Sequence, residues 1–118
     1  MTVKRIVANM LTAEPALTKR FYGDIFDMHP VMDHGWIRIL AADGEPSGPQ
    51  LGFASEGGSG APVPDLSIEV DDLDAVLTRA EAAGLPIEYG PADEPWGVRR
   101  FFLRDPFGRL VNVLAHRA

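Results

Sequence analysis

Leu66-Ser67-Ile68-Glu69-Val70-Asp71-Asp72-Leu73-Asp74-Ala75-Val76-Leu77 changes period partway along its length. Leu66, Ile68 and Val70 alternate with polar residues, as a strand with one buried face requires. From Leu73 the apolar positions become Leu73, Val76, Leu77 and Ala80, which share one face of a helix. Asp71 or Asp72 suits the N-cap, where a carboxylate accepts an otherwise unpaired backbone N–H, and Gly84 suits a left-handed end. The stretch therefore predicts a strand over Leu66–Val70 followed by a helix over Asp72–Ala83.

Downstream, a short strand is expected at Ile87–Tyr89, a loop over Pro91–Gly97, and strands over Val98–Arg104 and Leu110–Ala115. Asp105-Pro106-Phe107-Gly108 fits a three-residue hairpin loop, a type I turn with Gly108 left-handed. That turn pairs Asp105 with Arg109, and hence Phe102 with Asn112. Upstream, the same order is legible. Arg5–Leu11 reads as a strand, and Pro15 suits the first turn of a helix. Leu17, Phe21 and Ile25 recur at helical spacing and are expected as its buried stripe. Strands follow at Val31–Asp33, Trp36–Ala41 and Gln50–Ser55, with a turn at His34-Gly35 and a loop over Asp43–Pro49.

Strand, helix and three strands thus occur twice. Ala13-Glu14 falls on Asp71-Asp72 and Leu17 on Ala75. The match is one of pattern, and it favours two small modules sharing one core. Module one is expected over about 3–55 and module two over about 65–116, joined by a Gly-, Ser- and Pro-rich linker at 56–64 whose glycines Gly57, Gly58 and Gly60 are read as flexible. The fold class is α+β, one domain of two βαβββ modules with curved mixed sheets.

Composition narrows the function. The chain has 118 residues, a length suited to one domain, with 46% hydrophobic and 24% charged residues. Eleven Lys and Arg against 17 Asp and Glu leave a net charge of -6. That charge argues against a nucleic-acid partner, which needs a basic footprint. No cysteine is present, so thiol catalysis, disulfides and thiolate metal sites are excluded. No apolar run approaches a membrane span. Ala13-Glu14-Pro15 interrupts the apolar run after Lys4-Arg5, so no signal peptide is expected and the expected location is cytoplasmic.

Alternation assigns faces. In module two Leu66, Ile68, Val70, Val111 and Val113 face the helix. Arg100, Phe102 and Asn112 then share the opposite face with Asp65 and Glu69. In module one Ile37 and Ile39 are expected toward the core, with Trp36, Arg38 and Leu40 opposite, beside Val7, Asn9, Gln50 and Gly52. A sheet face that mixes rings, arginines, carboxylates and amides suits a groove for a small molecule. Trp36, Trp96 and Phe102 are the candidate stacking residues. Asp65 and Glu69 are candidates for cationic groups, and Arg38, Arg100 and Asn112 for polar ones. His29, His34 and His116 show no helical ligand spacing. No nucleotide-binding glycine loop and no nucleophile elbow is present.

Four segments resemble a known family. Glu14-Pro15 with Arg20-Phe21-Tyr22-Gly23-Asp24-Ile25-Phe26 is similar to the opening of the glyoxalase/bleomycin resistance/dioxygenase (vicinal oxygen chelate, VOC) superfamily. Ser67-Ile68-Glu69-Val70-Asp71-Asp72-Leu73 resembles the start of its second module. Glu94-Pro95-Trp96-Gly97 and Phe102-Leu103-Arg104-Asp105-Pro106-Phe107-Gly108-Arg109-Leu110-Val111-Asn112 resemble its last hairpin. The resemblance implies paired βαβββ modules and a homodimer. It also implies a divalent metal held by His or Glu at positions that here carry Val7, Gly52, Asp65 and Asn112. Valine and glycine cannot ligate, and Asn112 offers only an amide oxygen, so the three or so ligands of a catalytic site are not assembled. The expectation is therefore the metal-free, bleomycin-resistance-like branch. It is a homodimer with no cofactor and no catalytic residues that binds a small aromatic or cationic molecule, such as an antibiotic, without reacting it. The alternative is a metal-dependent VOC lyase, isomerase or dioxygenase with rearranged ligands.

Overall fold

A computed structural model describes residues 1–42 and 48–117. The chain divides into two compact units, Val7–Val63 and Met1–Ile6 with Pro64–Ala118. The division falls inside the expected 56–64 linker, and the first residues of the chain go with the later unit.

In the Val7–Val63 unit, β1 (Val3–Leu11, from Val7 on), β2 (Met28–Asp33), β3 (Ile37–Ala42) and β4 (Gln50–Ala54) form a mixed sheet in the order β2-β3-β4-β1. β1 and β4 run parallel, with Asn9 opposite Gly52, and the other pairs are antiparallel. The expected helix is broken into a 3-10 turn at Pro15–Leu17, a π turn at Lys19–Gly23 and one α turn, α1, at Asp24–Phe26. Its stripe is not buried, for Leu17, Phe21 and Ile25 are 65%, 54% and 64% exposed. Tyr22 makes the inward contact instead, its ring 4.9 Å from Phe53. Changing from 3-10 to π to α winding shifts which residues share a face, so regular spacing no longer decides what is buried.

The register also corrects the facing of β3. Arg38 lies opposite Phe53 and Leu40 opposite Leu51, whereas Ile39 lies opposite Gly52. Paired antiparallel residues share a face. Arg38 and Leu40 are therefore on the Phe53 side, not with Gln50 and Gly52. The 56–64 stretch is likewise not a loose linker. Gly57 donates to the Ala61 carbonyl at 2.8 Å, Ala61 donates to that of Gly58 at 2.9 Å, and a Cβ on Gly57 would sit 2.0 Å from the Pro62 oxygen. Glycine is needed there for close packing. Of the loop expected over Asp43–Pro49, residues 43–47 lie outside the described residues.

In the second unit, β5 (Leu66–Val70), β6 (Tyr89–Asp93), β7 (Val98–Arg104) and β8 (Leu110–His116) follow the order β5-β8-β7-β6, and the N-terminal residues lie beside β5. Helix α2 (Leu73–Ala82) is capped by Asp72, whose side chain accepts from the Ala75 N–H at 3.1 Å. Gly84 is left-handed at φ 74°. Leu73, Val76 and Leu77 pack on Val70, Phe101, Val111 and Val113, with Ile68 and Leu103 at the margin. This is the core the alternation assigns. The last hairpin also matches its expected register, with Gly108 at φ 83°, Asp105 donating to the Arg109 carbonyl at 3.0 Å, and Phe102 opposite Asn112. β6 departs from expectation, occupying residues expected as a loop. It lies at the sheet edge, where Pro91 needs no N–H partner, and its register shifts between Tyr89 and Ala92. No helix among the described residues is long and apolar enough to cross a membrane.

Candidate functional site

The face of the second unit away from α2 gathers the chemistry. Pairing across the sheet puts Ser67, Asn112, Phe102 and Tyr89 in one row. Glu69, Leu114, Arg100 and Ala92 form the next row. The expected side chains Glu69, Arg100, Phe102 and Asn112 are therefore neighbours on one face.

Arg100 is its centre. The side chain is 3% exposed, and its guanidinium carbon lies 4.9 Å from the Trp96 ring centre, 4.9 Å from Phe102 and 5.1 Å from Tyr89. Each ring is within the reach over which a cation is attracted to a π face. Arg100 Nε donates to Glu94 Oε2 at 2.8 Å, and the Tyr89 hydroxyl lies 3.1 Å from both Glu94 oxygens. A buried charge needs both a partner and hydrogen bonds, and this arrangement provides them. Trp96 is partly exposed and Phe102 is 1% exposed, so of these two rings Trp96 is the accessible one.

Asn112 is buried beside this cluster. Its Nδ2 donates to Ser67 Oγ at 3.1 Å, while its Oδ1 has no hydrogen-bond donor among the described residues. Glu69 is engaged on both sides, by an ion pair with Arg5 at 3.0 Å from Nε to Oε1 and by His116 Nδ1 at 2.9 Å from Oε2. Asp65 stands apart at the strand entry. It is exposed, and its Oδ2 accepts from the Leu110 N–H at 2.8 Å. The two remaining candidates belong to the Val7–Val63 unit. Arg38 donates through Nε and Nη2 to Asp33 Oδ2 at 3.2 and 2.7 Å, and Trp36 stacks on His34 with ring centres 6.3 Å apart. The Asp33 carboxyl is held below its ordinary pKa, first by the Gly35 backbone N–H and then by Arg38.

Tyr89 and Glu94 were missed by sequence reasoning. Tyr89 reaches Phe102 only through the register shift in β6, which no spacing announces. The sole signal for Glu94 was its place two residues before Trp96.

The family model for the Glyoxalase/Bleomycin resistance protein/Dioxygenase superfamily matches residues 4–113, and the chain belongs to that superfamily. No curated protein matches it in sequence. Among solved structures it is similar to an NAD-dependent benzaldehyde dehydrogenase from Legionella pneumophila, at TM-score 0.72 and 16% identity over 96% of this chain and 100% of that one. It is similar to methylmalonyl-CoA epimerase from Mycobacterium tuberculosis at TM-score 0.65 and 21% identity, over 98% and 88%. A glyoxalase/bleomycin resistance protein/dioxygenase superfamily member from Vibrio splendidus 12B01 gives 0.64 and 15%, over 98% and 99%. At these identities the likeness concerns the fold.

The divalent metal of the superfamily's enzymes does not fit the residues present. Val7 offers no donor, and the space a Gly52 side chain would need is taken by Asn9 Oδ1, 2.2 Å from an ideal Cβ. Asp65 is turned to a backbone N–H, and Asn112 offers only a single neutral amide oxygen. Among the described residues no three His, Asp or Glu side chains cluster as metal ligands would.

Proposed function

We propose that this chain reversibly binds a small, flat, neutral or cationic organic molecule without reacting it and without a metal, in the manner of the bleomycin-resistance branch. An aromatic or cationic antibiotic is a ligand of this class. The observation that carries the reading is Asn112 Oδ1, a buried acceptor lacking a donor beside a wall of rings. An unsatisfied buried polar atom costs about 1–3 kcal/mol, which a ligand N–H or O–H would recover. Trp96 supplies a partly exposed ring face against Arg100 on the same side of the sheet. The charges support a ligand that is not an anion, because Arg100 is neutralised by Glu94 and Arg5 faces Glu69.

The test is tryptophan fluorescence, since Trp36 and Trp96 are the two tryptophans. Flat cationic, neutral and anionic compounds, glycopeptide antibiotics of the bleomycin type among them, are titrated in parallel. Saturable quenching by cationic or neutral members is expected. Saturation by anions alone refutes the charge reading, and no binding across the panel removes the support for sequestration.

A second reading, metal-dependent turnover with rearranged ligands, has one specific starting point. The Glu69 carboxylate and the exposed His116 imidazole are adjacent and would give two of three donors. Elemental analysis after dialysis against Ni, Zn, Fe and Mn separates the two. One tightly held ion per chain favours the enzyme.

A further inference from the structure

The surroundings of Arg100 form a receptor for a cation, and the chain itself supplies the occupant. Trp96, Phe102 and Tyr89 stand 4.9, 4.9 and 5.1 Å from its guanidinium carbon, and the Glu94 carboxylate accepts from its Nε at 2.8 Å. Ring faces converging on one point, closed by a carboxylate, are what recognition of an organic cation uses. Stability does not account for the arrangement. A buried ion pair is often matched or bettered by apolar residues of similar volume. Arg100 has Leu114 opposite and Phe102 two residues on, so an apolar side chain would continue the surface there.

The cage also lies near the outside. Trp96 is partly exposed, and the strand beyond Arg100 is β6, the last of its sheet, which sets only Ala92 opposite it. A long flexible side chain can swing out over an alanine, and a guanidinium keeps its charge in water as it does in the cage. If a second guanidinium then enters, one cation replaces another. Glu94 stays neutralised, the three rings keep a cation, and the water lost by the incoming group is regained by Arg100. We propose that Trp96, Phe102, Tyr89 and Glu94 form a binding site for a guanidinium-bearing molecule, with Arg100 as the built-in occupant that such a ligand displaces. A guanidinium fits this site better than an ammonium, because it is planar, stacks on rings and donates to a carboxylate through fixed N–H groups. A compact cation needs no flat ring system, so the cage stands whether or not the panel of flat compounds binds.

The probe is methylguanidinium, with sodium at equal ionic strength as the control and circular dichroism to confirm folding. In the wild type, hydrogen exchange of the Arg100 Nε–H is followed by NMR. Methylguanidinium is expected to speed that exchange saturably as Arg100 is driven out, and sodium is not. Arg100→Ala empties the cage. In a Trp36→Phe background Trp96 is the single tryptophan. Its emission is expected to respond to methylguanidinium at least about tenfold more tightly than with Arg100 in place, since an occupant present roughly nine-tenths of the time weakens apparent affinity by that factor. The melting temperature of Arg100→Ala is expected to rise with the probe. Glu94→Gln added to Arg100→Ala is expected to weaken the response about tenfold, through loss of the charge-assisted hydrogen bond. A wild-type Nε–H whose exchange ignores methylguanidinium overturns the proposal, and that measurement needs no variant to fold. So does a folded Arg100→Ala chain that binds the probe no more tightly than wild type, or one whose response Glu94→Gln leaves unchanged.

Discussion

Glu94→Gln isolates the interaction around which the candidate site is built. The substitution keeps shape and an acceptor for the Tyr89 hydroxyl but removes the charge from a pair whose side chains are 3% and 5% exposed. Breaking a buried pair by deleting one charge costs about 3–5 kcal/mol, because the other charge stays buried. Here Arg100 keeps three ring faces within 5.1 Å, which offsets part of that at about 1–2 kcal/mol. The net expectation is a loss of about 1–4 kcal/mol, a large share of a domain stability of ~5–15. At roughly 4 °C per kcal/mol for a chain of this size, the melting temperature falls by about 4–16 °C. Urea unfolding followed by tryptophan fluorescence measures it, and an unchanged m value confirms that the compactness of both states is preserved. Arg100→Met added to Glu94→Gln is expected to cost less than the sum of the two single changes, since the double variant leaves no orphaned charge. A Glu94→Gln chain within about 0.5 kcal/mol of wild type would refute the reasoning, for that is the behaviour of an exposed pair.

Trp96→Ala is expected to weaken ligand binding by about 1–3 kcal/mol, read by titration through Trp36. Asp65→Asn is expected to change it less, with a difference that fades in high salt, because Asp65 is exposed and engaged with the Leu110 N–H. Gly57→Ala places a methyl group 2.0 Å from the Pro62 oxygen, so thermal melts should show a loss of about 1–3 kcal/mol. The Asp71 carboxyl is held below its ordinary value of 3.8, chiefly by the Thr2 backbone N–H, so its folded pKa lies under its unfolded one. Its stabilisation is present above the unfolded value and lost as pH falls through the folded one. Asp71→Asn should therefore flatten the acid limb of stability, measured by melts from roughly pH 5 to pH 2.

The second unit was legible because each local signal there acts alone. Asp72 caps α2 with its own side chain, Gly84 ends the helix in a left-handed conformation that glycine adopts without a Cβ clash, and the Asp105–Arg109 turn fixes a register that carries Phe102 to Asn112. The first unit defeated the same rules where two periods meet. A helical segment that winds three ways exposes Leu17, Phe21 and Ile25 despite their spacing. The β2 pairing shifts between Pro30 and Met32, and the turn at His34 to Ile37 ends with Arg38 opposite Asp33, so the facing of β3 is set by the hairpin and not by its apolar residues.

For the site, alternation gave direction but not partners. It put Arg100, Phe102 and Asn112 on one face, and the structure agrees. It was silent on what a buried arginine must find there. A guanidinium cannot shed its charge, so a nearly inaccessible Arg100 demands a carboxylate and polarisable surroundings. Glu94, Tyr89 and Trp96 answer that demand from the edge strand and the turn that follows it. The three rings are thus already committed to an internal cation. On the proposed reading, a ligand at this face would stack on the part of Trp96 that remains open and would meet the donor-seeking oxygen of Asn112 beside Phe102. Under this reading, specificity depends on where the ligand carries its hydrogen-bond donor relative to its flat face, and its charge matters less. The Trp96→Ala and Asp65→Asn comparison separates stacking on the flat face from the contribution of charge.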